Sequence, residues 1–223
     1  MKTPPVVVLG TGGHAKVLIE LIERLGRPVL GVTTKEAESA ATFCGVRVLG
    51  NDSVLAGMDK TALELANGVG STGHAHRRRE LFERCRLAGF NFALLIHPSA
   101  VVALDAEFGA GAQVMAGAVI QPGCRIGSNV IVNTRVSLDH DCRLGEHVHV
   151  APGAVLCGGV IVGDGSHIGP GSTILQGIRI GAGALVGAGA LVRKDVAEGT
   201  VVAGVPAKVI REVNAPEAAR SIP

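Results

Sequence analysis

The chain has 223 residues, 47% of them apolar, and a formal net charge of +2. This apolar fraction is sufficient for a folded core, and the scattered lysines and arginines form no broad basic face for nucleic acid. Glycine and charge interrupt every apolar run well short of the roughly 20 residues of a membrane span. We therefore expect a folded chain that binds no nucleic acid and has no membrane span.

The cysteines give an expectation about the cellular compartment. There are five of them, an odd number without CxxC spacing, and the first residues run straight into an apolar strand without a signal-peptide pattern. These features predict a cytoplasmic protein with reduced thiols. Cys124 and Cys142 lie 18 residues apart, and the repeat described below places both side chains inside the core.

The first 96 residues alternate between strand and helix patterns. Apolar runs and apolar residues at helical spacing predict, in chain order, a strand at 6–9, a helix at 17–25, a strand at 29–32, a helix at 79–87 and a strand at 92–96. This alternation predicts a small parallel α/β sheet, Rossmann-like, that binds ligands beyond the carboxyl ends of its strands. The triplet Arg77-Arg78-Arg79 is expected at the solvated start of a helix, with the phosphates of a small ligand as its alternative partner.

The loop "GTGGHAK" at 10–16 follows the first strand and opens the first helix. Its glycines allow backbone N–H groups to approach a phosphate at the helix N-terminus. A dinucleotide site would also need an acidic residue at the end of the second strand, where this chain has Thr33 and Thr34. The loop therefore predicts phosphate binding, and NAD is discounted.

A six-residue period replaces this alternation after residue 97. Every sixth position from Val102 to Val192 is apolar, sixteen positions without an insertion, and the positions two residues earlier are all small or apolar. Such a period is typical of a parallel β-helix, in which three hexapeptides close one triangular coil. Glycines at an 18-residue spacing are expected at the corners: Gly109, Gly127, Gly145, Gly163 and Gly181. We expect the chain to divide into an α/β domain at 1–96, a β-helix at 97–212 and a frayed tail at 213–223.

Three histidines fall within the middle coils of this repeat. Interior Leu138 places His140 just past a corner and exposed, and Asp141 beside it would fix the tautomer and stabilise the imidazolium, as a general base requires. His149 precedes an interior valine and is expected to face outward, and His147 lies in a turn. For all three the alternative is a solvated surface without function.

Four segments together with the hexads resemble a known family. They are "VVVLGTGGHAKVLIEL" at 6–21, "HPSAVV" at 97–102, "NTRVSLDHDCRLGEHVHVAPGAVLCGGV" at 133–160 and "VVAGVPAKVIRE" at 201–212. They resemble the acyltransferases that N-acetylate nucleotide-linked amino sugars, including the bacillosamine-pathway and GDP-perosamine acetyltransferases, and are similar to sialic-acid O-acetyltransferases. The resemblance spans nearly the whole chain. It implies a left-handed β-helix, acetyl-CoA as co-substrate and a homotrimer with active sites between subunits.

The resemblance also implies roles for residues of the β-helix. It makes His140 the general base, Asp141 its orienting carboxylate and Asn133 a substrate contact near the reacting centre. It places His149 beside the thioester and pantetheine. Approximate wall positions for acetyl-CoA are Gly158, Gly159 and Ala188.

In the N-terminal part the resemblance implies that Gly12, Gly13 and His14 bind the diphosphate or ribose of a sugar nucleotide. Uridine-specific members often carry aspartates at the positions of Thr33 and Thr34, which puts uridine in doubt and leaves guanosine or thymidine open. Residues 70–79 either close the pocket or form a plain loop; the pocket residues would be Ser71, Thr72 and His74.

The predicted function is therefore acetyl-CoA-dependent N-acetylation of the 4-amino group of a nucleotide-linked amino sugar. Direct attack of the amine on the thioester is preferred over an acyl-enzyme, because the cysteines near the histidines occupy or adjoin interior positions without a base as partner. No metal is expected. The alternatives are O-acetylation of a sugar or serine, a zinc carbonic anhydrase using His140, His147 and His149, and a scaffold without catalysis.

Overall fold

The structure, a computed structural model, describes residues 3–35, 41–71 and 76–213. Its N-terminal part is a five-stranded sheet, and the elements in chain order are β1 (Val6–Leu9), α1 (Gly13–Arg24), β2 (Val29–Thr33), β3 (Thr42–Phe43), β4 (Val46–Gly50), a 3-10 helix (Asp52–Gly57), β5 (Glu64–Asn67) and α2 (His76–Leu87). The strand order is β3-β4-β2-β1-β5, with every pair parallel except the β3–β4 hairpin at the edge. The predicted α/β sheet is confirmed, with one antiparallel edge strand added.

The two helices pack on opposite faces of this sheet. Alternate residues of a strand point to opposite sides, so Val6 and Val8 join the cluster around α1, while Val7 and Leu9 join the cluster around α2. Residues of the β-helix, Met115 among them, belong to the α1 cluster. The N-terminal layer is therefore packed directly on the β-helix through α1.

The rest of the chain is a triangular parallel β-helix with three sheets. The covered face, on which the N-terminal layer packs, consists of Leu95–Ile96, Gln113–Val114, Ile131–Val132, His149–Val150, His167–Ile168, Leu185–Val186, Thr200–Ala203 and the antiparallel Lys208–Glu212. The uncharged face consists of Val101–Val102, Val119–Ile120, Ser137–Leu138, Val155–Leu156, Thr173–Ile174 and Leu191–Val192. The basic face consists of Glu107–Phe108, Arg125–Ile126, Arg143–Leu144, Ile161–Val162 and Arg179–Ile180. The first residue of each strand points outward. On the uncharged face none of these residues is charged, and on the basic face three of the five are arginines.

The interior of the β-helix is the predicted apolar column. Strands pair with those 18 residues away, as in Leu138 with Ile120 and Leu156. From Val114 to Val192 every sixth residue is buried, while Val102 and Phe108 at the open end are half-buried. Cys124 and Cys142 are buried in the same cluster, so their predicted inward orientation is confirmed.

Stacking of the coils explains the corner glycines. A Cβ atom on Gly127 would lie 2.6 Å from the carbonyl oxygen of Gly145, and one on Gly163 would lie 2.5 Å from the backbone nitrogen of Ala182. Both distances are far below a normal contact, and the obstructing atoms are backbone. Glycine is required at these corners because successive coils touch there.

The strand predicted at 92–96 is wrong in extent and in pairing. Phe92 makes a single parallel bridge to Leu65 of β5, and only Leu95–Ile96 forms a strand, which pairs with Gln113–Val114 of the covered face. The apolar run at 92–96 begins beside the N-terminal sheet and ends in the covered face of the β-helix. Because the run is apolar throughout, its sequence pattern does not show where the backbone changes from one sheet to the other. The division of the chain at residue 97 stays a prediction. The strand pairing of the β-helix already begins two residues before it, at Leu95–Ile96.

Neither of the two described α-helices is long and apolar enough to cross a membrane. All five cysteines are free thiols: Cys85, Cys124 and Cys142 are buried, Cys157 is half-buried and Cys44 is exposed.

Candidate active site

A cavity of about 770 Å³ lies between the N-terminal sheet and the covered face of the β-helix. Much of its N-terminal wall comes from the segments that follow three parallel strands, and the rest from α2 and Asp52. The three strands end level, because Leu9 pairs with Thr33 on one side and Asn67 on the other. Parallel strands direct the segments after them to one edge. Asn133 and His149 close the cavity from the β-helix.

Eight of the predicted ligand-binding residues line this one cavity. They are Gly12, Gly13, His14, Thr33, Thr34, Ser71, Asn133 and His149. Thr72 and His74, predicted in the same loop as Ser71, lie outside the described residues.

The N-terminus of α1 lines this cavity and has no side-chain cap. Gly12 is the capping residue, no side chain caps the helix and no acidic residue occupies its first turn. The first N–H groups of a helix lack intrahelical partners and carry partial positive charge. This end of the cavity is suited to an anion.

His14 is held in one tautomer by Gln113 of the covered face. The Nε2 atom of His14 lies 2.7 Å from Oε1 of Gln113, and the Gln113 amide donates to the carbonyl oxygen of Asn67 at 3.1 Å. The Gln113 oxygen therefore accepts, and His14 donates from Nε2 and keeps a lone pair on Nδ1. Burial, followed by the charge of Arg78, lowers the pKa of His14 to about 4, although the bond to Gln113 acts in the opposite direction. His14 is neutral at physiological pH.

His149 is held in the opposite tautomer by groups from both parts of the chain. Its Nδ1 lies 3.1 Å from the carbonyl oxygen of Ser71 and 2.8 Å from the Ser71 hydroxyl, so Nδ1 carries the hydrogen. Its Nε2 lies 3.1 Å from the Asn133 amide nitrogen, which donates because the Asn133 oxygen accepts from the Thr134 N–H. Burial, then the neighbouring His167 and Arg78, lower the pKa of His149 to about 3.

His147 and His149 face outward from their coil, but the alternative of a solvated surface is wrong for both. The N-terminal layer covers them, and they are 3% and 8% exposed. His147 packs edge-on against Phe82 of α2 and accepts a hydrogen bond from Asn129 at 2.9 Å. Burial, then the charge of Arg79, lower its pKa. The repeat sets which way a side chain points, and packing of another layer sets whether water reaches it.

His140 lies on a different corner of the β-helix, where the uncharged and basic faces meet. It is exposed as predicted, its Nδ1 lies 2.9 Å from Oδ2 of Asp141, and this hydrogen bond raises its pKa above the ordinary value. Because a carboxylate can only accept, Nδ1 carries the hydrogen and Nε2 is free as a base. The ring lies over Gly158 of the next coil, where a Cβ atom would collide with it.

The remaining predicted residues divide between two corners. Gly159 adjoins Gly158 beneath His140, and its N–H donates to the His140 carbonyl oxygen at 2.8 Å. Ala188 is exposed on the corner of Asn133, where the covered and uncharged faces meet. Within one chain, His140 and Asp141 do not line the cavity that holds Asn133 and His149.

The arrangement of the three histidines does not favour a metal centre within one chain. His140 is bonded to Asp141, His147 to Asn129, and His149 to Ser71 and Asn133. Among residues 3–35, 41–71 and 76–213, no group of three or more His, Cys, Asp and Glu side chains converges as metal ligands would.

Comparison with known proteins identifies the family. Residues 5–85 match the model of the PglD N-terminal domain, and residues 123–194 match the bacterial transferase hexapeptide model in three overlapping segments. The acetyltransferase domain of PglB from Neisseria gonorrhoeae, solved with acetyl coenzyme A, is 36% identical over 93% of this chain and 99% of its own, with a TM-score of 0.86. The chain belongs to the hexapeptide family of nucleotide-sugar acyltransferases.

Two further solved structures have the same overall fold. PerB from Caulobacter crescentus, solved with CoA and GDP-perosamine, is 38% identical over 92% of this chain and 96% of its own, with a TM-score of 0.85. WeeI from Acinetobacter baumannii is 24% identical over 93% of this chain and 100% of its own, with a TM-score of 0.75. Like its relatives, this hexapeptide acyltransferase combines an α/β sheet with a left-handed parallel β-helix. A comparison with curated protein sequences gave no match.

Several polar residues around the cavity of this acyltransferase were not predicted from the sequence. Gln113 orients His14, and His167 packs perpendicular to His149 with ring centroids 4.9 Å apart. Both stand in the outward column of the covered face at 18-residue spacing, which is the signal that would have found them. Four charged residues of the cavity wall were also missed: Lys35, Asp52, Glu80 and Arg84. Arg77, named from the sequence with the phosphates of a small ligand as its alternative partner, lines the cavity as well.

The prediction that Arg78 lies on a solvated helix start is wrong, because its side chain is 1% exposed. Arg78, Leu81, Phe82 and Cys85 are all buried on α2, at the i, i+3, i+4 and i+7 positions of one helix face. That spacing is present in the sequence, but three consecutive arginines indicated a solvent-exposed helix start instead.

Proposed function

We propose that this protein transfers the acetyl group of acetyl-CoA to the 4-amino group of a nucleotide-linked amino sugar. The observation that carries the proposal is the single cavity that joins an anion-suited helix N-terminus to Asn133 and His149 on the β-helix. The relatives support both ligands, because PglB was solved with acetyl coenzyme A and PerB with CoA and GDP-perosamine.

The sugar nucleotide is proposed to enter with its diphosphate at the N-terminus of α1. Gly12 and Gly13 have open space where a side chain would begin, so phosphate oxygens can approach their N–H groups. The nucleobase then lies towards Thr33 and Thr34. Thr33 donates to Asp52 at 2.7 Å, and Asp52 also pairs with Arg84 at 2.6 Å. The acceptor sugar extends in the other direction, to Asn133 and His149.

The chemistry is proposed to centre on His140. A neutral sugar amine attacks the thioester carbon, the new C–N bond forms, and the nitrogen of the tetrahedral species is positively charged. Nε2 of His140 accepts the proton from that nitrogen, Asp141 stabilises the resulting imidazolium, and the C–S bond breaks to release the CoA thiolate, which is protonated. The Nδ1–H of His140, fixed by Asp141, leaves Nε2 free for this proton.

Under this mechanism a complete active site requires a second subunit, because the base and the nucleotide cavity of one chain lie on different corners of the β-helix. Asn133 and His140 border the same uncharged face on the same coil, seven residues apart in sequence, which is roughly 20 Å for an extended chain. In a closed three-fold assembly with this face towards the axis, the Asn133 edge of one subunit meets the His140 edge of the next. We propose a homotrimer with the nucleotide cavity of one subunit and the base of its neighbour at each interface.

The same arrangement accounts for the proposed acetyl-CoA residues. Gly158 and Gly159 lie on the His140 corner and Ala188 on the Asn133 corner. Acetyl-CoA would lie between these two corners, one from each subunit. Gly158 keeps the space beside the His140 ring open for the thioester.

The direct test follows thiol release from acetyl-CoA with UDP-, GDP- and dTDP-linked 4-amino sugars, and with their 4-hydroxy analogues as controls. The proposal expects release with one nucleotide class and only with the amine, together with a product one acetyl group heavier. Release with the hydroxyl sugars alone would favour O-acetylation, and no release with any acceptor would overturn the proposal.

The substitution Asp141→Asn is expected to alter the pH dependence of kcat/KM. Asp141 raises the pKa of His140, and a general base works in its neutral form, so activity rises with pH through that pKa. Without the carboxylate the pKa falls, the acid limb moves to lower pH, and the plateau is reduced because the tautomer is no longer fixed. Initial rates from pH 5 to 9 test this. An acid limb at the same pH in both proteins would exclude His140 as the titrating group.

The substitution Val155→Glu is expected to break the trimer. Val155 is 38% exposed in the middle of the uncharged face, and a trimer would bring three glutamates together around the axis without compensating charge. Ile161→Glu is the matched control, because Ile161 holds the equivalent place on the basic face beside Arg143 and Arg179. Light scattering measures the mass of each. A trimeric Val155→Glu protein would place the interface on another face.

A further inference from the structure

Arg78 is the most deeply buried arginine in the described part of the chain, 1% exposed. Its Nη1 donates to the carbonyl oxygens of Asn67 and Val69 at 2.9 and 3.0 Å, and its Nη2 donates to that of Asn129 at 3.1 Å. Asn67 and Val69 belong to the N-terminal layer and Asn129 to the β-helix. The guanidinium therefore bridges the two parts of the chain from the rear of the cavity.

The charge of Arg78 has no carboxylate partner among residues 3–35, 41–71 and 76–213. No carboxylate oxygen there lies within 4.0 Å of it, and its buried Nε makes no hydrogen bond. Burial lowers its pKa to about 9, which leaves the side chain protonated at neutral pH. An uncompensated buried charge is costly to a fold, so a well-packed apolar residue would be expected here if stability were the sole requirement.

The segment that Arg78 holds is the cavity wall at 67–71. Gly68, Val69, Gly70 and Ser71 line the cavity, and Ser71 fixes the tautomer of His149. The Asn67 carbonyl that Arg78 binds also accepts from Gln113, which fixes His14. One guanidinium thus supports the hydrogen bonds of both cavity histidines.

We propose that Arg78 is a positioning residue for the nucleotide sugar: it fixes the wall at 67–71 against the β-helix, and with it the hydrogen bonds that orient His14 and His149. This role rests on the proposed function, because it assigns the nucleotide sugar to the cavity. The two histidines would then each present a fixed arrangement of donor and acceptor to the ligand.

The charged surroundings of the two histidines agree with this role. The groups that lower the pKa of His149 through their positive charge are Arg78 and, when they are protonated, His167 on the next coil and His14. Arg78 is the one charge that acts on His14, with neutral Gln113 opposing it. Removal of the Arg78 charge therefore raises the pKa of both rings. Protonation would begin at higher pH and weaken ligand binding on the acid side.

Two substitutions separate the tether from the charge. Arg78→Lys keeps the positive charge but lacks the planar fork that reaches three carbonyls, so KM for the nucleotide sugar should rise about tenfold without movement of the acid limb of kcat/KM. Arg78→Met should raise KM as much, and in NMR titrations of the histidine rings it should also raise the pKa of His14 and His149. In both, kcat at saturation should stay near that of the wild type. The control is Arg79→Met, because Arg79 is exposed and pairs with Glu83, and it should change neither quantity.

A second measurement does not depend on activity. Nitrogen-15 NMR of the histidine rings reports tautomer and protonation without ligand, and His149 should lose its fixed Nδ1–H tautomer in both Arg78 variants. An Arg78→Lys protein with wild-type KM and tautomer would overturn the tether, and this variant decides if Arg78→Met does not fold. Unchanged histidine titration in folded Arg78→Met would overturn the role of the charge. Failure of the wild type to transfer acetyl groups would contradict the proposed function and leave the NMR result to decide on Arg78.

Discussion

Replacing His140 by asparagine is expected to lower kcat by about 10²- to 10⁴-fold, the usual contribution of a positioned general base. The variant keeps a polar, planar side chain of similar size beside Gly158 but has no basic nitrogen for the proton of the amine. Because His140 is exposed and outside the nucleotide cavity of its own chain, binding of the nucleotide sugar should persist. Steady-state kinetics should therefore show a loss in kcat with little change in KM.

Two comparisons make this result interpretable. Calorimetric titration of CoA and the nucleotide sugar into His140→Asn should give wild-type affinities. His97→Asn is the matched control, because His97 bonds locally to Ser99 and should keep full activity. Wild-type kcat in His140→Asn would remove His140 from the chemistry.

Replacing Leu138 by alanine is expected to reduce the free energy of unfolding by about 2–5 kcal/mol. Leu138 is fully buried, lies directly between Ile120 and Leu156 in the apolar column, and stands two residues from His140. The neighbouring coils cannot move in to fill the void left by the shorter side chain, because backbone contacts at the corners fix the spacing of the coils. The loss should therefore fall in the upper part of this range.

Leu104→Ala is the control for this prediction. Leu104 lies in the same β-helix and is fully exposed, so its truncation should change the stability by less than about 0.5 kcal/mol. Chemical denaturation at one fixed protein concentration measures both, because association would otherwise add to the apparent stability. Equal stability of the two variants would contradict the assignment of the interior column.

The repeat made the β-helix predictable to the level of single residues. Inward and outward positions alternate along each short strand, and strands pair with those 18 residues away, so the sequence determined that Val114, Leu138 and Val150 are interior. It also determined that His140 lies outward beside Asp141. Such features depend on neighbouring coils alone, and every coil repeats the same geometry.

Individual residues of the candidate site were predictable from the sequence, but the contacts between them were not. The residues Gly12, His14, Thr33, Asn133 and His149 were each selected from the sequence, and the structure brings them to one cavity. Gln113 and Arg78 were missed because their roles arise only where two segments distant in sequence meet. The positions of His14 and Gln113, for example, are 99 residues apart.

The sequence by itself therefore determined the two architectures, the interior of the β-helix, the anion-suited turn before α1 and the exposed pair of His140 and Asp141. The tertiary structure decided which face the N-terminal layer covers. It thereby decided that His147, His149 and Arg78 are buried and that the cavity lies on another corner than His140. The physical reason is that a period fixes the direction of a side chain relative to its own coil, whereas burial, tautomer and pKa depend on the surfaces that pack against it.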